Sequence, residues 1–305
     1  MALLYKIFVF IIASFCITSK VCALNNPKII ANSGGIGELP ENTLYAIRTV
    51  MEAGVDGVEI DLQLTKDNRV VLYNYKDLAI KTDCQGAVED FTYNDILKCN
   101  AAYYFDPEHD NTFPHRGFLH KIPTLEEVLD IALTDNIILL LDLKSLPSNL
   151  LIDKIALLLD QKNAWEYVIF LSTKNVHLNY LHGKFPKAQK FESREQTNKR
   201  LLSLRNEGIC CCANKDSKYV GFEIRRHMMV EDILTLGSLY TKVEFHLWDS
   251  NAVKCTKKSK GDDVKIMFLG VNDKVEYNQA KILGVYAVVT NYPIKLLNSI
   301  DSYNP

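Results

Sequence analysis

Along the chain, short apolar runs rich in β-branched residues alternate with longer stretches whose apolar positions recur every three or four residues. The short runs lie at 28–32, 57–62, 70–73, 137–142, 167–171, 242–248, 265–271 and 287–290, with weaker ones at 188–191 and 219–224. The longer stretches predict helices over 42–53, 124–134, 148–162, 193–206, 273–283 and 294–300. Thr124, followed by Glu126 and Glu127, reads as an N-cap with acids in the first turn. Ser148 follows Pro147 at the head of another amphipathic stretch. Ile137 to Leu141 are all apolar, the pattern of a strand covered on both faces. Repeated strand-then-helix units imply a parallel sheet with helices outside, and at this length the leading α/β architecture is a single-domain (β/α)8 TIM barrel. Ten strand candidates exceed eight, so two must be hairpin pieces, irregular strands or errors. A doubly wound open sheet is the alternative, but no glycine-rich phosphate fingerprint follows the first strand. The lysine-rich segment 254–260 reads as a solvated loop.

The N-terminus changes the picture of compartment. Lys6, an apolar run from Ile7 to Thr18 and Val21-Cys22-Ala23 form the pattern of a secretory signal peptide over residues 1–23, so a secreted or periplasmic protein is expected. An uncleaved anchor is the alternative, although the run is short for a membrane span. The barrel domain would then occupy residues 24–305. Without the first 23 residues, 282 remain with 33 basic and 37 acidic side chains, a net charge of −4. That balance argues against nucleic acid as a partner and against electrostatic docking on membranes, and no stable membrane insertion is expected. Six cysteines remain, allowing 15 complete pairings. Cys84 and Cys99 share one loop-rich stretch and are the pair expected first. Cys210, Cys211 and Cys212 are adjacent and cannot all satisfy each other. No cysteine pair has the spacing of a zinc site.

Barrel enzymes place their chemistry at the C-terminal ends of the strands. The second run closes as Glu59-Ile60-Asp61, two carboxylates on one face. The run from Ile137 closes as Asp142-Leu143-Lys144, again with two polar groups on one face. A carboxylate on a strand of leucines is costly to bury unless paired or bound to metal. Either Asp142 and Lys144 meet solvent at the strand end, or they join Glu59 and Asp61 in a hard-cation site with a phosphate partner.

The segments Ile29-Ile30-Ala31-Asn32-Ser33-Gly34-Gly35 and Val58-Glu59-Ile60-Asp61, with those that follow, resemble the glycerophosphodiester phosphodiesterase family. The resemblance runs through Ile29-Ile30-Ala31-Asn32-Ser33-Gly34-Gly35, Pro40-Glu41-Asn42-Thr43, Ala53-Gly54-Val55-Asp56-Gly57-Val58-Glu59-Ile60-Asp61 and Gln63-Leu64-Thr65-Lys66-Asp67. It continues through Val70-Val71-Leu72-Tyr73-Asn74, Ile122-Pro123-Thr124-Leu125-Glu126-Glu127-Val128-Leu129, Leu141-Asp142-Leu143-Lys144, Phe191-Glu192-Ser193-Arg194 and Val288-Val289-Thr290-Asn291-Tyr292-Pro293. It implies a barrel that hydrolyses glycerophosphodiesters to glycerol phosphate and an alcohol with a divalent cation, Mg²⁺ or Ca²⁺. By this resemblance Glu59, Asp61 and Asp142 are the metal ligands and Lys144 contacts the phosphate. Asp142 stands where the family most often has a glutamate.

The same resemblance places two histidines and an arginine where this chain has Asn32, Asn74 and Ser33. All seven histidines fall at or beyond His109. In the family one histidine takes a proton or attacks, and the other protonates the leaving alkoxide. Asparagine can donate a hydrogen bond to phosphate but cannot move a proton at working pH. The resemblance therefore implies a protein that binds a phosphodiester or lysophospholipid-like ligand with catalysis weakened or lost. Ser33 then becomes a substrate contact. An active secreted phosphodiesterase with an altered proton relay is the alternative, and a barrel with an unrelated ligand a third. His115-Arg116-Gly117 falls in a loop beyond the third run. His227 and His246 are the later histidines with a conceivable route to the mouth. Head-group specificity is expected between Asn74 and Ile122.

Overall fold

The computed structural model describes residues 25–212, 216–234 and 237–301. The expected signal peptide lies outside the described residues. The strands are β1 (Lys28–Ala31), β2 (Gly57–Leu64), β3 (Val70–Leu72), β4 (Ile138–Leu143), β5 (Val168–Leu171), β6 (Tyr219–Glu223), β7 (Arg225–Leu234), β8 (Gly237–His246), β9 (Lys265–Leu269) and β10 (Ala287–Thr290). The helices are α1 (Leu44–Glu52), α2 (Tyr93–Ile96), α3 (Leu125–Ala132), α4 (Ser148–Lys162), α5 (Asn175–Lys184), α6 (Arg194–Glu207), α7 (Ser250–Lys260), α8 (Lys274–Ile282) and α9 (Pro293–Asp301).

Seven strands pair in parallel in the order β5-β4-β2-β1-β10-β9-β6. Lys190 and Phe191 complete the ring: Lys190 bridges Phe170 of β5, and Phe191 bridges Tyr219 of β6. The architecture is the expected barrel, but the strand ranking is corrected. The two weak runs, 188–191 and 219–224, supply barrel staves. The runs at 70–73 and 242–248 do not. β3 is antiparallel to the end of β2, and β8 pairs only with β7 in a separate hairpin. The weak runs carry polar residues with partners in the fold, which an apolar count misreads: Gln189 donates to the Glu166 carbonyl and accepts from the Tyr219 hydroxyl, and Glu223 pairs with Arg194.

Alternation along the strands sorts two cores. Ile30, Leu140, Ile169, Phe191, Tyr219, Met267, Ala287 and Val289 fill the barrel interior. Their neighbours in sequence, such as Leu139, Phe170 and Phe222, face the helices. Gly221 keeps the interior open for Phe191, since a Cβ there would sit 2.3 Å from that ring. Helix starts follow the sequence signals. Thr124 and Glu127 form a reciprocal capping box on α3. The segment 254–260 is corrected from loop to helix: Asp249 caps α7, and Ala252, Val253, Cys255, Thr256 and Ser259 form its buried face. Cys84 pairs with Cys99, Cys210 with Cys255, and Cys211 with Cys212.

The closing stave is fastened by a buried ion cluster. Glu192 accepts from Arg200 Nη1 and Nη2 at 2.7 and 2.6 Å and from Lys260 at 3.1 Å. Burial by itself would raise the Glu192 carboxyl, but Arg200 and Lys260 hold it below the usual carboxylate range. A buried charge left without its partner is strongly destabilising. Glu192→Gln should therefore lower unfolding stability by about 3–5 kcal/mol in urea titrations at neutral pH. Because the folded carboxyl is depressed, wild type loses this advantage as pH falls below the carboxylate range, and the gap between the two proteins should narrow in acid.

Candidate active site

The residues that face inward at the C-terminal ends of the strands come from every part of the chain. β2 projects Glu59 and Asp61 to one face, and its register with β4 sets Asp61 directly beside Asp142. Carboxylate oxygens of Glu59, Asp61 and Asp142 lie within 4.8 Å of one another, and all three residues are buried. Lys144, two residues beyond Asp142, spans the group, 2.9 Å from Asp61 Oδ1 and 2.5 Å from Asp142 Oδ2.

A tight turn after β1 supplies the neutral donors. Ser33 takes a left-handed conformation (φ 48°), as does Asn42 (φ 54°). The Ser33 amide donates to Glu59 Oε2 at 3.0 Å, and its hydroxyl donates to Asp61 Oδ2 at 2.9 Å. Asn42 donates through Nδ2 to Asp61 Oδ2 at 2.8 Å and accepts from the Asp61 amide at 3.1 Å. Gly34 (φ 81°) lets this turn lie against α1, where a Cβ would come within 3.1 Å of Ala46 Cβ.

Electrostatics sets the carboxylates against one another. Burial, then the charges of Asp61 and Asp142, raise the Glu59 carboxyl well above its usual value. Burial also pushes Asp142 up to about 6, against the opposing pull of Lys144. Burial alone would lower the Lys144 ammonium, but Asp61 and Asp142 raise it, so it stays charged. Asp142 Oδ1 is buried and has no hydrogen-bond partner among the described residues. An orphaned carboxylate oxygen beside two more carboxylates fits a hard divalent cation, whose preferred ligands are oxygens.

The other expected positions flank this cluster. Asn32 lines a cavity of about 310 Å³ together with Glu59, Asp142, Arg194, Glu223 and Asn291. Its amide donates to Asn291 Oδ1 at 2.7 Å. Asn74 lines a neighbouring cavity of about 420 Å³ with Gln63, Lys76, Lys144 and Lys174. The hydroxyl and amide of Ser33, expected at the substrate, are both directed at Glu59 and Asp61.

The later histidines stand elsewhere. His115 Nδ1 is 3.1 Å from His120 Nε2, and its ring packs against Tyr45 and Phe105, so it is a half-buried packed side chain rather than a free loop residue. His246 sits on the outer hairpin, 61% exposed and 3.3 Å from Glu244, a surface position away from the mouth. The side chain of His227 lies outside the described set. His177 was not singled out in the sequence; it is buried, between Ser172 Oγ and the Ser145 carbonyl, each at 2.8 Å. Asn42 carries no role in the sequence reading, nor do Arg194, Glu223 and Asn291, which only the closed ring brings to one mouth.

The raised Asp142 carboxyl has a thermodynamic consequence in cation-free protein. A folded value of about 6 against 3.8 for the ordinary group opposes folding progressively as pH rises between them. In chelator-treated protein above pH 6, Asp142→Asn should be more stable than wild type by roughly 1–3 kcal/mol. The gain should vanish near pH 4. Equal urea midpoints at pH 7.5 would count against this account.

Comparison with known proteins agrees with this geometry. Residues 34–295 match the model of the glycerophosphoryl diester phosphodiesterase family. Uncharacterized protein Rv2277c of Mycobacterium tuberculosis is 32% identical over 270 residues, 88% of each chain. The crystal structure of its glycerophosphoryl diester phosphodiesterase domain matches with a TM-score of 0.79 at 31% identity, covering 90% of this chain and 99% of that one. A glycerophosphodiester phosphodiesterase of Bacillus altitudinis is 36% identical over 104 residues, 34% of this chain and 39% of that protein. An Oleispira antarctica phosphodiesterase, solved with the product sn-glycerol-3-phosphate, shares the fold with a TM-score of 0.66 at 20% identity, over 90% of this chain and 97% of that one. With nearly the whole described barrel matched, this chain belongs to the glycerophosphoryl diester phosphodiesterase family.

Proposed function

We propose that this protein binds a divalent cation, Mg²⁺ or Ca²⁺, and a glycerophosphodiester or lysophospholipid-like phosphodiester at the barrel mouth, with hydrolysis weakened or lost. The observation that carries the reading is the buried, unpartnered Asp142 Oδ1 facing the Glu59 and Asp61 carboxylates. Glu59, Asp61 and Asp142 are the residues that would hold the cation. A bound cation supplies the positive charge that offsets three buried carboxylates and polarises a phosphoryl oxygen. Lys144, kept protonated by Asp61 and Asp142, offers its ammonium to the phosphate.

Proton transfer is where the chain falls short. Asn32 and Asn74 flank the carboxylates in separate cavities, and neither amide can take or give a proton. Asn32 is oriented by Asn291 as a hydrogen-bond donor. General acid–base catalysis contributes roughly 10²–10⁴-fold, so its loss leaves binding with little turnover. The pairing of Cys84 with Cys99 and Cys210 with Cys255 suits an oxidising compartment and supports the secreted or periplasmic reading of the N-terminus. Among the described residues no helix is long and apolar enough to cross a membrane.

Calorimetry with Mg²⁺ or Ca²⁺ on chelator-treated protein should show one cation site that Asp142→Ala removes. Hydrolysis of glycerophosphocholine by wild type should lie at least 10²-fold below that of the Asn32→His, Ser33→Arg, Asn74→His triple variant. Efficient wild-type turnover, abolished by Asp142→Ala, would overturn the loss of catalysis. No cation binding in wild type would overturn the whole reading.

A further inference from the structure

Opposite the carboxylates, the mouth carries a second charged pair. Ser193 caps α6 by accepting from the Gln196 amide at 3.2 Å, which fixes Arg194 as the first helical residue after the closing stave. Glu223 ends β6, the stave paired beside it. Along β6, Tyr219 faces the barrel interior, so Gly221 and Glu223 share its face and Glu223 points into the mouth. Arg194 Nη2 donates to both Glu223 oxygens, at 2.5 and 2.8 Å. Its guanidinium lies 4.5 Å from the centre of the Phe222 ring. Both residues line the same 310 Å³ cavity as Glu59, Asp142 and Asn32.

This pairing is unusual in how little of the arginine it uses. One nitrogen carries both bonds, so the Nε and Nη1 hydrogens have no acceptor among the described residues. A guanidinium offers five N–H donors to carboxylate or phosphate, and here the hydrogens on Nε and Nη1 are still unspent. The charge of Arg194 is near enough to act on Asp142 across the cavity. Meanwhile Ser33 gives its hydrogen-bonding capacity to Glu59 and Asp61.

We infer that Arg194, positioned by Glu223 and Phe222, is a phosphate-binding residue of this mouth, taking the ligand's phosphoryl oxygens from the side opposite Lys144. The inference rests on the proposed phosphodiester-binding function and adds a residue to it. A merely structural role is a poor rival: the two side chains are 32% and 39% exposed, and ion pairs so exposed contribute little to stability.

The test is calorimetric titration of sn-glycerol 3-phosphate into wild type, Arg194→Gln, Arg194→Lys and Asp142→Ala, in saturating Mg²⁺, with melting temperature and Mg²⁺ affinity measured for each. Charge-assisted hydrogen bonds to phosphate are strong enough that Arg194→Gln should weaken glycerol phosphate binding at least tenfold. Its melting temperature should match wild type, and its Mg²⁺ affinity should not fall, since a positive charge near Asp142 has been removed. Arg194→Lys should fall between the two, having the charge without the fork. Asp142→Ala should lose Mg²⁺ and glycerol phosphate together. Undiminished glycerol phosphate binding by Arg194→Gln overturns the inference and leaves the proposed function standing. So does a loss that comes with a lowered melting temperature or weaker Mg²⁺ binding, which would make Arg194 structural. Failure of wild type to bind Mg²⁺ overturns the proposed function itself and the inference with it.

Discussion

Three carboxylates forced together out of water are the constraint around which the mouth of this barrel is arranged. Mutual repulsion and burial both oppose the ionisation of Glu59 and Asp142, and neighbouring donors offset part of that cost. Lys144 lies between two of them. A strained turn directs Ser33 and Asn42 at the same oxygens. One oxygen of Asp142 is still left unserved. Such a cluster costs stability in isolation, and its persistence makes sense when a cation completes it. The cost can be met because the surrounding barrel is well packed, with an inner core of one or two apolar side chains from most staves.

The closing stave joins stability to the site. Phe191 fills the interior, Glu192 turns outward into the Arg200 and Lys260 cluster, and Arg194 turns back to the mouth. Within four residues the chain contributes to inner packing, an external ion lock and the binding cavity. Backbone bonds from Phe170 N to the Gln189 carbonyl, Phe191 N to the Phe170 carbonyl and Glu192 N to the Tyr219 carbonyl join this stave to its neighbours, and the ion lock adds a side-chain anchor. A disturbance in the outer cluster therefore reaches the wall that carries Arg194.

The separation between binding and proton transfer is also physical. Holding a cation and a phosphate, as proposed, would draw on the carboxylates of Glu59, Asp61 and Asp142 and the ammonium of Lys144. Turning over a phosphodiester needs groups that change protonation state on demand. Among the described residues, histidines are found in packed or outlying places: His115 against Tyr45, His177 under Ser172, His246 on the hairpin. None of these three lines the two cavities beside the carboxylates.

Much of this was legible in the sequence, because periodicity and strand-end chemistry are local properties. The leucine run of β4, the two-residue spacing of Glu59 and Asp61, and the Thr124 capping box all depend on near neighbours, and each appears as the sequence implies. The staves at 188–191 and 219–224 look weak in the sequence because Gln189 and Glu223 are satisfied by distant partners, the Glu166 carbonyl, the Tyr219 hydroxyl and Arg194, which no local pattern records. The lysines of 254–260 looked like a loop because the buried face of α7 is built from Ala252, Val253, Cys255, Thr256 and Ser259, small or mildly polar residues that carry little hydrophobic signal. Hydrophobic patterning by itself determined that strands and helices alternate around a parallel barrel and which carboxylates end its strands. Which residues share the mouth was decided only by ring closure. Arg194, Glu223 and Asn291 share a cavity with Glu59 and Asp142 across long sequence separations, and no local pattern records a proximity that exists only once the ring closes.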